Sequence, residues 1–221
     1  MLAFLFKFIL YLLGWKPITD KQFGLLNEYP RSVVVFSHTS YADFFLMILY
    51  LLAYPQQTKN IRMIIKPEPF YYMNYFLRKL GGIPATRVAD KNGGSTIKII
   101  EELQQQAQFV LLISPKGTIV KSPWRNGYYH IASKLKCQLM VAGLDYEKKN
   151  VIIENGLNYD EEQNKIEQVL KEKLGNIVPL FPEEEIVNIR PHNAKKISII
   201  KYDRMIYLLV IILFTFIISL L

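Results

Sequence analysis

Between Gly24 and Glu154 the sequence predicts an α/β domain, a sheet flanked by helices. Two observations predict it. Short runs of β-branched residues alternate with stretches whose apolar residues recur at helical spacing. No internal repeat or low-complexity linker interrupts that alternation. A chain of 221 residues can bury one sizeable core, which fits one domain with appendages rather than two domains.

The elements follow in order. Residues 32–37 (SVVVFS) form a continuous apolar run, as expected of a strand buried on both faces. Residues 41–52 read as a mostly apolar helix beginning near the N-cap candidates Thr39 and Ser40. Residues 61–65 are a second strand. The aromatic segment 70–80 is a helix that could face a bilayer or the core. After Gly93 and Gly94, residues 95–108 make a helix with Ile100, Leu103 and Ala107 on one face, leading into a strand over 109–113. A helix over 127–135 precedes strands over 138–144 and 151–154. Residues 160–174 form a charged amphipathic helix with Ile166, Val169, Leu170 and Leu174 inward, stopped by Gly175.

The two ends differ from this middle. Residues 205–221 (MIYLLVIILFTFIISLL) are apolar or small throughout and follow Lys195, Lys196, Lys201 and Arg204. As a helix they would extend ~25 Å, just enough to span a bilayer core of ~30 Å. A helix apolar on every face with a basic flank reads as a tail anchor whose preceding domain lies on the cytosolic side, against the alternative of a buried core helix. The N-terminal MLAFLFKFILYLLGWKP is too short to span and carries Lys7 in its middle. It is expected to lie in the membrane interface, with Lys7 snorkelling while Phe4, Phe8, Leu12 and Trp15 sit among acyl chains. A secretory signal would need a basic leading segment and a small-residue cleavage site, which this stretch lacks.

Composition supports that reading. Apolar residues are 51% and aromatics 13%, and the excess is concentrated at the ends. A net charge of +8 fits nucleic acid or an anionic bilayer surface, and the apolar termini favour the bilayer. A single cysteine, Cys137, excludes an intramolecular disulfide and any multi-thiolate zinc site, and three scattered histidines offer no metal-ligand spacing. Cys137 reads as a small apolar residue in a strand.

Chemistry is expected at the end of the first strand. His38 follows that strand and Asp43 falls in the first turn of the next helix. Active sites of α/β sheets gather at strand carboxyl ends, and an aspartate accepting from one imidazole nitrogen would leave the other as a general base. Such a base can activate an acceptor hydroxyl directly, without a covalent enzyme intermediate. By itself the pair is also what chance and the helix dipole would place there.

Further blocks follow in order: GGIPATR, SPKGT, WRNGYYHIA and VAGLDYEKK. With HTSYAD they make residues 14–154 resemble the glycerolipid acyltransferase family, whose members include 1-acyl-glycerol-3-phosphate acyltransferases. The resemblance implies an α/β acyltransferase fold with His38 and Asp43 as catalytic residues. It also implies that Arg87, at the end of the second block, binds the acceptor phosphate, a role suited to a guanidinium fork. The family's third block reads proline, glutamate, glycine, threonine, arginine. This chain matches it at Pro115, Gly117 and Thr118, with Lys116 for the glutamate and Ile119 for the arginine. Lys116 or Lys121 could restore a phosphate site of altered geometry; the acceptor could lack a phosphomonoester; or activity could be lost. Lys116, Gly117 and Thr118 are therefore counted with Arg87 as candidate substrate-binding residues, and backbone amides near Gly117 and Thr118 as candidate oxyanion donors.

The remaining candidates have simpler readings. His130 is a packed or half-exposed helix histidine, and His192 lies in a basic linker. Gly81-Gly82 and Gly93-Gly94 have turn chemistry rather than nucleotide-loop spacing. The run Phe70, Tyr71, Tyr72, Tyr75, Phe76 with Arg78 and Lys79 reads as interfacial aromatics with snorkelling bases rather than a nucleic-acid platform. The expected organisation is an interfacial helix (1–15), an acyltransferase domain (16–190), a basic linker (191–204) and a transmembrane anchor (205–221). The expected partners are membrane lipids and an acyl-CoA or acyl-carrier protein donor, with no cofactor and no nucleic acid. The rival expectation is a catalytically silent lipid-binding or scaffolding protein on the same fold.

Overall fold

The computed structural model describes residues 2–85, 94–119 and 122–180. Arg87, Lys121, His192, the basic linker and the anchor segment lie outside them. Within them the chain forms α1 (Leu2–Leu12), α2 (Asp20–Glu28), β1 (Arg31–Phe36), α3 (Tyr41–Ala53), β2 (Ile61–Ile65), α4 (Phe70–Lys79) and β3 (Gly82–Pro84). It continues through α5 (Gly94–Gln104), β4 (Phe109–Ile113), α6 (Gly127–Leu135), β5 (Gln138–Asp145), β6 (Asn150–Asn155) and α7 (Gln163–Gly175).

The strands make one sheet in the order β3-β2-β4-β1-β5-β6. β1 lies between β4 and β5 and parallel to both, with Val35 opposite Ile113 on one side and Val141 on the other. Only the β5–β6 pair is antiparallel among the described pairings. Val33, Val34 and Val35 are wholly buried, because helices cover both faces of a parallel strand at the centre of a sheet. Val34, Val110, Met140 and Met63 pack toward α1, α2, α3 and α4. Val33, Val35, Leu111 and Val141 pack toward α5, α6 and α7.

This layering positions a site. The chain leaves β1 through α3 on one face and travels toward β2; it leaves β4 through α6 on the other face and travels toward β5. Connections from two adjacent parallel strands thus diverge to opposite faces. The crevice beyond their carboxyl ends is where open α/β sheets bind ligands.

Two elements went unread in the sequence. Helix α2 opens on a capping box in which Thr19 and Gln22 satisfy each other's backbone amides. Strand β3 begins at the Gly81-Gly82 pair, assigned above to a turn alone. Gly81 has φ +85° and a Cβ there would stand 2.1 Å from the Ile61 carbonyl, so glycine is required where the chain closes on β2. Helix α5 is shorter than expected and turns Ile99 and Leu103 inward, leaving Ala107 exposed beyond its end. The chain must turn there to enter β4, and the Gln106 carbonyl accepts from Arg31 Nη2 at 2.9 Å. In α7 the expected inward positions Ile166, Leu170 and Leu174 are buried, and the cap falls on Asn176.

At the N-terminus Phe6 and Leu10 pack on α3, while Phe4, Leu5, Phe8, Tyr11 and Leu12 are exposed. Trp15 departs from the expectation that it joins the exposed stripe: Gly14, at φ +77°, turns the chain after α1, and Trp15 is buried edge-on against Tyr146 and Tyr50. The Lys7 ammonium lies over the Tyr54 ring, 4.6 Å from its centroid. Helix α4 divides the two alternatives open in the sequence. Phe70 and Leu77 face the core, whereas Tyr71, Tyr72 and Tyr75 are at least 79% exposed. Among the described residues no helix is long and apolar enough to cross a membrane.

Candidate functional site

The turn after β1 is built from a helix cap. Ser40 is the N-cap of α3 and Asp43 its third residue, and the two form a capping box. Ser40 Oγ accepts from the Ala42 amide at 2.9 Å. In return the Asp43 carboxylate reaches back over the turn, and Oδ2 accepts from the amides of Ser40 at 3.0 Å and Thr39 at 2.8 Å.

The same oxygen lies 3.2 Å from His38 Nδ1. An ionised carboxylate can only accept, so in the neutral imidazole Nδ1 carries the proton and Nε2 keeps its lone pair. Asp43 Oδ1 accepts from the Tyr146 hydroxyl at 2.7 Å. Four donors thus meet a carboxylate with about four acceptor positions. The carboxylate is nearly buried (5% exposed) and the imidazole partly open (23%). The helix N-terminus favours that buried negative charge.

His38 lines a cleft of about 1340 Å³ that also takes in Lys116 and Gly117 from the turn after β4. Thr118 is on that turn but does not line the cleft. Lys66, Lys116, Arg125 and Lys134 outnumber Glu101 and Glu167 along its described walls, so the cleft favours an anionic occupant. Lys116 is itself 6% exposed. His130 stands on the exposed face of α6 and also lines the cleft. Behind the dyad, Asp43, Phe36 and Met47 border a second, apolar cavity of about 100 Å³ between α2, α3 and the sheet.

The turn after β4 is fixed by its backbone. Gly117 adopts φ +58°, its amide donates to the Ser114 carbonyl at 3.0 Å, and the Pro115 carbonyl accepts from the Arg125 amide at 3.1 Å. The Gly117 amide is thus engaged within the turn. Ser114 Oγ, by contrast, is buried at the cleft with no hydrogen-bond partner among the described residues. Burial pushes the Cys137 thiol up to about 12, which makes it a poor nucleophile at neutral pH.

The sequence did not point to Tyr146 or Ser114. Tyr146 lies 103 residues from Asp43, and only the pairing of β5 with β1 joins them. Ser114 opens the SPKGT block and Tyr146 lies in VAGLDYEKK, but neither block assigned them a role. Among the described residues no group of three or more His, Cys, Asp or Glu could hold a metal.

An imidazole–carboxylate pair at the switch point of a mostly parallel sheet, above a basic cleft, is the frame of an α/β enzyme. The chain belongs to the acyltransferase family: the model of that family matches residues 22–144, from α2 through nearly all of β5. No curated protein and no solved structure matches it.

Proposed function

We propose that the protein moves a fatty acyl group from acyl-CoA or acyl-carrier protein to a hydroxyl of a glycerol-phosphate or lysophospholipid acceptor, at the surface of a membrane. The observation that carries this reading is the His38–Asp43 pair, with Nδ1 held by the carboxylate and Nε2 left basic beside the cleft. Nε2 takes the acceptor's hydroxyl proton as its oxygen attacks the thioester carbonyl. The tetrahedral oxyanion then collapses, the carbon–sulfur bond breaks, and the imidazolium returns the proton to the leaving thiolate. Asp43 stabilises the transient imidazolium. The basic walls suit the phosphates of donor and acceptor, and Arg87 is assigned the acceptor phosphate through the family motif. Ser114 Oγ lines the same cleft as His38 and has no hydrogen-bond partner among the described residues.

Membrane placement rests on the exposed apolar side of α1, an area of large side chains that a soluble surface rarely carries unpartnered. The segment 205–221 would anchor the domain, with the cleft on the cytosolic face. Lys116 in place of the family's glutamate favours one second reading, a lipid-binding protein without turnover.

The test is thiol release from acyl-CoA by the full chain in mixed micelles, across phosphorylated and unphosphorylated acceptors. Acceptor-dependent release that falls ~10²–10⁴-fold in His38→Ala is expected for a lost general base. Undiminished release in that variant overturns the mechanism. Lipid binding without turnover on any acceptor selects the silent reading.

A further inference from the structure

We propose that Tyr146 is a positioning residue for the His38–Asp43 pair, and that Trp15 holds it, so that the segment following the lipid-facing helix α1 is built into the active site. Both residues lie outside the stretch matched by the family model. The proposal rests on the acyl-transfer reading for its kinetic consequences but not for its geometry.

Asp43 is oriented from two sides. Three donors on Oδ2 come from its own turn: the amides of Thr39 and Ser40 and His38 Nδ1. The donor on Oδ1 is the Tyr146 hydroxyl, and its 2.7 Å bond is the shortest of the four. A hydrogen bond to a carboxylate in a nearly buried setting both fixes its plane and draws off part of its charge. The orientation of the carboxylate that holds His38 therefore depends on a side chain just beyond the carboxyl end of β5.

Tyr146 is itself held at three points. Its amide donates to the Val178 carbonyl at 2.9 Å. Its ring meets Trp15 edge to face, at 5.1 Å between centroids and 88° between planes. Its hydroxyl is on Asp43. Trp15 is locked in turn, because the hairpin tip and the α1–α2 connection are tied by two bonds. The Lys16 amide donates to the Lys149 carbonyl at 2.8 Å, and Lys149 Nζ donates to the Leu13 carbonyl at 3.0 Å. Tyr50 closes the assembly from α3, donating to the Lys16 carbonyl at 2.7 Å. From the exposed stripe of α1 to His38 there is thus an unbroken path: α1, Trp15, Tyr146, Asp43, His38.

The experiment is histidine NMR on the full chain in detergent micelles, comparing wild type with Tyr146→Phe. The protein has three histidines, so the His38 signal is identified by its absence from His38→Ala. Removing the hydroxyl leaves Asp43 in place on its Oδ2 bonds with its charge undiluted, which favours the imidazolium. The His38 midpoint is expected to be higher in the variant than in the wild type. If the protein turns over acyl-CoA, the acidic limb of the kcat profile rises with it, and kcat at neutral pH falls by no more than about threefold with KM unchanged. Trp15→Leu, which loosens the ring but spares the hydroxyl, should give a smaller shift in the same direction. An unchanged or lower His38 midpoint in a folded Tyr146→Phe protein overturns the proposal. The titration needs no turnover, so absence of acyl transfer would defeat the enzymatic reading and leave this one standing.

Discussion

Two turns at the carboxyl ends of neighbouring strands face one cleft, and they are fixed in different ways. The turn after β1 is oriented by side chains: a capping box aims Asp43 at His38, and three of its four bonds close within six residues. The turn after β4 is oriented by backbone: Gly117 folds back on Ser114, and Pro115 is tied to Arg125. Lys116 and Ile119 depart from the family pattern there, whereas the His38 turn conforms to it.

Asp43→Asn is the strongest way to break the comparison. The amide has one carbonyl oxygen, which cannot serve His38, two backbone amides and Tyr146 together. Its NH₂ end would face a donor. We expect kcat to fall ~10²–10⁴-fold with KM little changed, because the imidazolium loses its counter-charge in the transition state. Stability should fall by about 1 kcal/mol from the lost charge at the helix N-terminus. A variant with near-native kcat would show that Asp43 caps α3 and does no more.

The same contrast explains what could be read from the sequence. The strand 109–113 and the helix 127–135 were legible to the residue, and β1 and α3 to within one residue, because apolar periodicity and the Ser40 cap mark them locally. The His38–Asp43 bond was legible for the same reason: five residues and a helix start determine it. Tyr146 was not, since its partner is brought near only by the order of strands in the sheet. Trp15 was misplaced because periodicity extends a helix past the glycine that ends it. Strand β3 was hidden by its glycines, which are poor strand formers kept for a close approach.

Lys116→Glu sharpens the second turn by restoring the family's residue on an unchanged backbone. If Lys116 holds an acceptor phosphate, KM for a phosphorylated acceptor should rise about tenfold or more, about 1.4 kcal/mol, while that for an unphosphorylated acceptor changes little. Steady-state kinetics with matched acceptors measures the difference. Equal effects on both would mean that Lys116 supports the cleft wall without choosing the acceptor.

The smallest effect is expected at Ser40, and it separates capping from catalysis within the first turn. Ser40 Oγ caps the Ala42 amide, but the Asp43 carboxylate is held by the Ser40 backbone N–H, which every residue except proline retains. Ser40→Ala should therefore cost about 1 kcal/mol of stability, a fall of roughly 2–4 °C in Tm for a domain of this size. Activity measured well below Tm should stay within about twofold, because the bonds that orient His38 survive the loss of an N-cap hydroxyl. Thermal unfolding and turnover on the same preparation decide it. A tenfold loss of activity at unchanged Tm would mean that the hydroxyl itself reaches the cleft, and the division between a side-chain-built turn and a backbone-built one would have to be redrawn.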